Sequence, residues 1–111
     1  MATPILQRKL KNAIARVNTE NLPIEFRLKE IDVNGDKRGC SGFVYNTANG
    51  SILYVDTEGS VLSGLNYMYR YADSLMDYAG YHNRWANSLD ELAANMVACL
   101  KQTPAEAGDR R

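Results

Sequence analysis

Two cysteines, three prolines, one histidine and one tryptophan are all that the 111 residues contain of these types, and each scarcity excludes something. Cys40 and Cys99 are too far apart in sequence for a metal-ligand pair and too few for the disulfide framework of a small secreted domain. They are expected to be two small buried hydrophobes in a reducing compartment, with a bridge from the sheet to the last helix as the minor alternative. No charged stretch followed by an apolar one opens the chain, so secretion is not indicated and a cytoplasmic location is expected. No apolar run approaches the roughly 18 residues a membrane helix needs. Net charge is lacking too: thirteen basic residues balance thirteen acidic ones, so the whole molecule has no field drawing it to nucleic acid or to an anionic membrane. A single histidine leaves any serine or cysteine nucleophile dependent on His82 for its base, and no spacing argues for that.

What is present suits one small globular domain. Hydrophobic residues make up 45% and charged residues 23% of the chain, enough for a single core at this length. The expected unit is residues 1–103, followed by a mobile tail at 104–111 after Pro104. Thr3-Pro4 reads as a helix start, and Leu6, Leu10, Ile14 and Val17 repeat at helical spacing. Arg8, Lys9, Lys11 and Arg16 cover the remaining faces, and Asn18 to Asn21 should end this helix. From Pro23 the period becomes two, with Ile24, Phe26 and Leu28 alternating with Glu25, Arg27 and Lys29 as a half-buried strand requires. The apolar set resumes out of phase at Ile31 and Val33, which places a bulge near Lys29-Glu30. Asn34-Gly35 is a strong hairpin signal. A second strand runs over 38–46, with Phe43 and Tyr45 on one face and Cys40, Gly42 and Val44 on the other. Its glycines permit close approach by another backbone. A turn at 47–50 leads to a third strand, Ile52 to Val55, buried on both faces. Leu65 to Met76 fits both a helix and a strand. Its length and its Ala, Leu and Met content favour helix, with 77–86 an ordered loop. Ser88 and Glu91 have capping-box spacing ahead of the stripe Leu89, Leu92, Met96 and Leu100. The expectation is an α+β fold: an N-terminal helix, a three-stranded antiparallel meander, and one or two C-terminal helices packed on one face of the sheet.

No motif among these elements carries chemistry. Asp32-Val33-Asn34-Gly35-Asp36 resembles half a calcium loop, but Lys37 stands where the turn needs glycine and Phe43 where a bidentate glutamate is needed. No metal and no cofactor are therefore expected. Gly39-Cys40-Ser41-Gly42 lacks the strand-to-helix context of a nucleophile elbow. His82 with Arg84, Tyr78, Tyr81 and Asp77 is the least implausible enzymatic set, suited to acid–base work on a phosphodiester, yet one histidine without a partner base is thin support. The expectation is that the protein is not an enzyme.

Five of the seven tyrosines, with the only tryptophan and histidine, fall between Leu65 and Trp85. Aromatic residues, methionine and arginine are enriched where proteins bind, because they bury large area at small entropy cost. Tyr67, Arg70, Tyr71, Tyr78, Tyr81, His82, Arg84 and Trp85 are therefore the candidate partner-binding residues. The expected partner is another protein, or a second copy in a homodimer, and the expected role is that of a regulator, adaptor or inhibitor, including those carried by phages and mobile elements. The alternative is nucleic-acid binding, with Arg8, Lys9, Lys11 and Arg16 on phosphates and tyrosines stacking on bases. The predicted element order resembles the αβββα order of double-stranded-RNA-binding domains, in topology alone. Those domains hold phosphates with basic residues at the start of the last helix. Here Ser88, Asp90 and Glu91 stand there, and an acidic helix amino terminus repels phosphate.

Overall fold

The computed structural model describes residues 5–33, 36–57, 67–78 and 82–108. They form helix α1 (Ile5–Val17), strands β1 (Ile24–Val33), β2 (Asp36–Asn46), β3 (Ile52–Asp56), β4 (Tyr67–Ala72) and β5 (Arg84–Ala86), and helix α2 (Leu89–Leu100). The strands make one sheet in the order β1-β2-β3-β4-β5, every neighbouring pair antiparallel. The class is α+β, as expected, and the helices flank the sheet.

Strand alternation divides the sheet into two faces. Phe26, Leu28, Cys40, Val44, Leu53, Val55, Tyr69, Tyr71 and Ala86 point to one of them. There they meet Leu10, Ala13 and Ile14 of α1 and Leu92, Ala93, Met96, Val97 and Leu100 of α2 in a single core. Each large apolar side chain taken fully from water in this way contributes about 1.5–3 kcal/mol. Asn18 closes α1, its side chain donating to the Leu22 carbonyl and accepting from the Leu22 N–H, while Asn21 takes a left-handed φ of 54°. At the start of α2, Ser88 Oγ accepts from the Glu91 N–H at 3.1 Å. The Glu91 carboxylate reaches back to the N–H of Asn87, one residue earlier than the expected reciprocal bond.

The end of α2 is held by the sheet. The Tyr71 hydroxyl donates to the Cys99 carbonyl at 2.7 Å. The Asn46 and Asn49 amides donate to the Leu100 carbonyl at 2.9 and 3.0 Å, and Ser51 Oγ donates to the Gln102 carbonyl. The residues from 104 onward, expected as a mobile tail, begin as a hydrogen-bonded turn in which Thr103 and Glu106 bond reciprocally and Ala107 lies against the core.

Three expectations are corrected. The meander has five strands, not three, so the αβββα resemblance does not extend to the segment between β3 and α2. The segment read as a helix from Leu65 is strand β4 over its described residues. Its tyrosines keep period two, and Tyr71, Tyr69 and Met68 pair with Leu53, Val55 and Asp56 of β3. A helix preference of a few tenths of a kcal/mol per residue does not outweigh that pairing, and Leu75 and Met76, which argued for helix, fall in the turn after the strand. The expected loop at 77–86 contains β5. A smaller difference concerns β1, whose register shifts between Ile31 and Val33, slightly beyond the Lys29-Glu30 position. The Asn34-Gly35 turn lies outside the described residues, and Val33 pairs with Asp36 on either side of it.

Gly42 fits the expected close approach: at φ 142°, a Cβ there would lie 2.1 Å from the Arg27 carbonyl oxygen. Gly42→Ala is predicted to cost about 3 kcal/mol or more, whereas Gly50→Ala, where no atom lies within 4 Å, costs only the left-handed penalty of about 1–2 kcal/mol. Urea denaturation of the two variants compares them.

Cys40 is fully buried, and burial pushes its thiol up from 9.0 to about 11. A weak acid whose pKa is raised by folding stabilises the fold while neutral in both states, and that contribution disappears as the pH climbs through the raised value. Melting temperature is therefore expected to fall between about pH 9 and about pH 11, and to fall less steeply in Cys40→Ala. An unchanged slope in that variant would contradict the assignment.

Candidate protein-binding surface

The face of the sheet away from the helices is arranged in rows set by register. One row runs Trp85, Met68, Asp56, Ser41 and Lys29 from β5 to β1, and the next runs Arg70, Tyr54, Phe43 and Arg27. Phe43 is nonetheless buried, because the chain after β4 folds back over it. Tyr78 lies edge-on to Phe43 with ring centres 5.2 Å apart, and to Tyr54 at 6.0 Å. Phe43 and Tyr54 are themselves 5.4 Å apart, so three rings form one cluster with spacings typical of favourable aromatic contacts. The Lys29 ammonium stands 5.5 Å from the centre of the Tyr78 ring.

Arg70 holds this returning segment down. It is only 2% exposed. Its guanidinium lies 4.7 Å from the centre of the Tyr54 ring, donates to the Tyr71 and Asp77 carbonyls at 3.2 and 2.9 Å, and stands 3.7 Å from the Asp77 carboxylate. That carboxylate also accepts from the Asp73 N–H, which closes a compact turn directly beneath Tyr78. Burial is the main cause that raises the Tyr54 hydroxyl above the ordinary tyrosine range, followed by the Asp56 charge.

The structure divides the sequence-predicted site residues. Trp85 and Tyr78 are on the helix-free face and are 56% and 53% exposed. His82 is exposed, with a left-handed φ of 66°. Tyr71, by contrast, is buried in the core with its hydroxyl on α2, and Arg70 is buried under the returning turn, so neither is accessible to a partner. Tyr67 is half-buried on the core side. Arg84 is half-buried with its guanidinium 5.0 Å from the centre of the Tyr71 ring. Tyr81 lies outside the described residues. The parity of β4 accounts for its tyrosines, because Tyr67, Tyr69 and Tyr71 share the core face and Met68 and Arg70 the other; Arg70 is withdrawn from its face by the returning turn.

Sequence reasoning missed Met76, 76% exposed, and Met68, which pairs with Trp85. It also missed Phe43 and Tyr54 as the floor beneath Tyr78. Their common face was legible in the alternation, but not which face the helices would take. Among the described residues, the exposed large hydrophobic side chains are Met76, Tyr78 and Trp85, all from the tyrosine-rich segment or the strand that ends it. Of the other candidate chemistry, Asp77 is engaged by Arg70, and Ser41 sits within β2. No group of three or more His, Cys, Asp or Glu that could hold a metal ion occurs among the described residues. None of their helices is long and apolar enough to cross a membrane.

Comparison of the chain with protein-family models, with curated proteins and with solved structures finds no match.

Arg70→Ala leaves the Asp77 carboxylate buried without its guanidinium and is predicted to cost about 3–5 kcal/mol, with new protease sensitivity at 73–78. Arg70→Met combined with Asp77→Asn removes both charges while keeping volume, and is expected to recover most of that loss. Urea titration with limited proteolysis tests the pair. A double variant as unstable as Arg70→Ala would show that the backbone hydrogen bonds, not the charge pair, hold the turn.

Proposed function

We propose that this protein is a small non-enzymatic binding protein, a regulator, adaptor or inhibitor, that engages another protein through the helix-free face of its sheet around Trp85, Tyr78 and Met76. The observation that carries the reading is the exposure of these three large apolar side chains on a chain whose core has Leu, Val and Tyr enough without them. Such residues, with the Lys29 ammonium beside Tyr78 and Asp73 and His82 exposed in the same stretch of chain, have the composition of an interface anchor with polar neighbours. The buried Arg70 supports it by pre-organising the Tyr78 turn, which lowers the ordering cost of association. A cytoplasmic location belongs to the same proposal, favoured by two unbridged thiols.

Nucleic-acid binding is the less supported reading. Its basic helix packs on the core side of the sheet, away from Trp85 and Tyr78. Lys11 is drawn over the Phe26 ring, and Arg16 stands 3.4 Å from Asp90.

Trp85→Ala with Met76→Ser removes exposed apolar area and is expected to leave the circular dichroism spectrum and urea midpoint nearly unchanged. It is also expected to weaken retention of the partner protein by about tenfold or more. Immobilised wild type and variant, exposed to extract of the native cells with and without nuclease, provide the measurement. A partner retained equally by both, or one lost only on nuclease treatment, would sink the proposal.

A further inference from the structure

At the opposite side of the sheet from Trp85, β1 runs for 10 residues, and among the described residues no strand lies beyond it. Two contacts reveal which way its backbone groups point. The Pro23 carbonyl accepts from the Thr47 N–H at 3.0 Å, and the Arg27 carbonyl faces Gly42 on β2. Because N–H and C=O of one strand residue share a direction and alternate along the chain, Glu25 and Arg27 turn theirs to β2, while Phe26 and Leu28 turn theirs outward. An outward row of this kind is a template for another strand.

We infer that a second copy of this chain fills it: β1 pairs antiparallel with β1 of the other subunit about a two-fold axis at Phe26, joining two five-stranded sheets into one. This goes beyond the partner surface proposed above and does not use it. Charge complementarity selects the register. Outward-facing residues must meet outward-facing residues, so the possible registers step by two. With Phe26 opposite the partner's Phe26, Glu25 faces the partner's Arg27 and, by symmetry, Arg27 faces the partner's Glu25. One step further along, Arg27 faces the partner's Arg27; the step after that sets Arg27 against the partner's Lys29; the step in the other direction sets Glu25 against the partner's Glu25. Like charges directly opposite are destabilising and opposite charges stabilising, so only the register centred on Phe26 has matched pairs without a clash.

The side chains suit the pairing. Glu25 and Arg27 are exposed. The Tyr45 hydroxyl donates to one Glu25 carboxylate oxygen at 3.0 Å, which orients the group and leaves the other oxygen for a guanidinium. On the core side, Ile24 faces the partner's Leu28. Ile24, Phe26 and Leu28 are each half-buried within one subunit, so they retain apolar surface to cover. Lys11 lies over the Phe26 ring on that side, and its long stem allows the ammonium to stay in water. A symmetric contact of this kind closes at two copies.

Sedimentation of the full chain over a range of concentrations tests the inference, with folding of each variant checked by circular dichroism. Wild type is expected to be a dimer. Glu25→Arg and Arg27→Glu each replace two attractive pairs by two repulsive ones and should raise the dimer dissociation constant on the order of tenfold or more. Combining E25R with R27E restores opposite charges and should restore the dimer. In the wild type, amide exchange at Phe26 and Leu28 should slow as concentration rises, since their N–H groups become bonded only in the dimer. A monomeric wild type overturns the proposal, as does a dimer indifferent to either single reversal, or one that the double reversal fails to restore.

Discussion

The carbonyl oxygens at the end of α2 are the constraint on which the rest of the architecture depends. A helix leaves its last carbonyls without partners, and when such a group is buried the cost is about 1–3 kcal/mol each. Here the donors come from the sheet: Tyr71 on β4, Asn46 at the end of β2, and Asn49 and Ser51 in the turn before β3. Because these donors are fixed by strand pairing, they set both the height and the direction of α2 over the sheet. α1 then packs beside α2 on the same side. The exposed pairs Arg16–Asp90 and Lys101–Glu20 join the two helices at their margins, but surface pairs of this kind add little.

Among the described residues both helices lie on one side of the five-stranded sheet, and on the other side the chain provides a cover of its own. The turn after β4 supplies a partial cover of one ring, Tyr78, anchored by a buried arginine where a third helix would otherwise be needed. Arginine suits the position because its planar group stacks on Tyr54 while its N–H groups reach two backbone carbonyls and a carboxylate. Trp85 stays in water beside Met68. The inner face is therefore closed by the two helices, while Trp85 and Tyr78 stay exposed on the outer one, and the proposed function rests on that asymmetry.

Much of the frame was legible in the sequence, for reasons visible residue by residue. The alternation of Ile24, Phe26 and Leu28, the opposed sets Phe43–Tyr45 and Cys40–Val44, and the cap of Ser88 and Glu91 are local patterns, and local physics decides them. What escaped depends on partners distant in sequence. β4 could be told from a helix only by its pairing with β3, and a strand of three residues, such as β5, has no period to read. Arg70 resembles a surface residue until Asp77 and Tyr54 are seen around it. Tyr71 looked available for binding because nothing near it in sequence indicates that its hydroxyl is bonded to Cys99, 28 residues away. The tyrosine-rich segment was thus legible as a stretch of sequence, but not in how it divides between the two faces, since consecutive residues of a strand point to opposite sides.

The grip of Asn49 on the Leu100 carbonyl spans 51 residues of chain, and this has a consequence during synthesis. At roughly 5–20 residues per second, about 3–10 s pass between the making of the turn and of the helix it caps. Through that interval the early strands can pair, but their inner face, with Val44, Leu53 and Val55, has no α2 to lie under. The nascent chain is then an open, half-apolar sheet with an unpaired edge, the kind of species that chaperones hold and that aggregates when they do not. The bond that orders the finished domain is thus among the last that the growing chain can form.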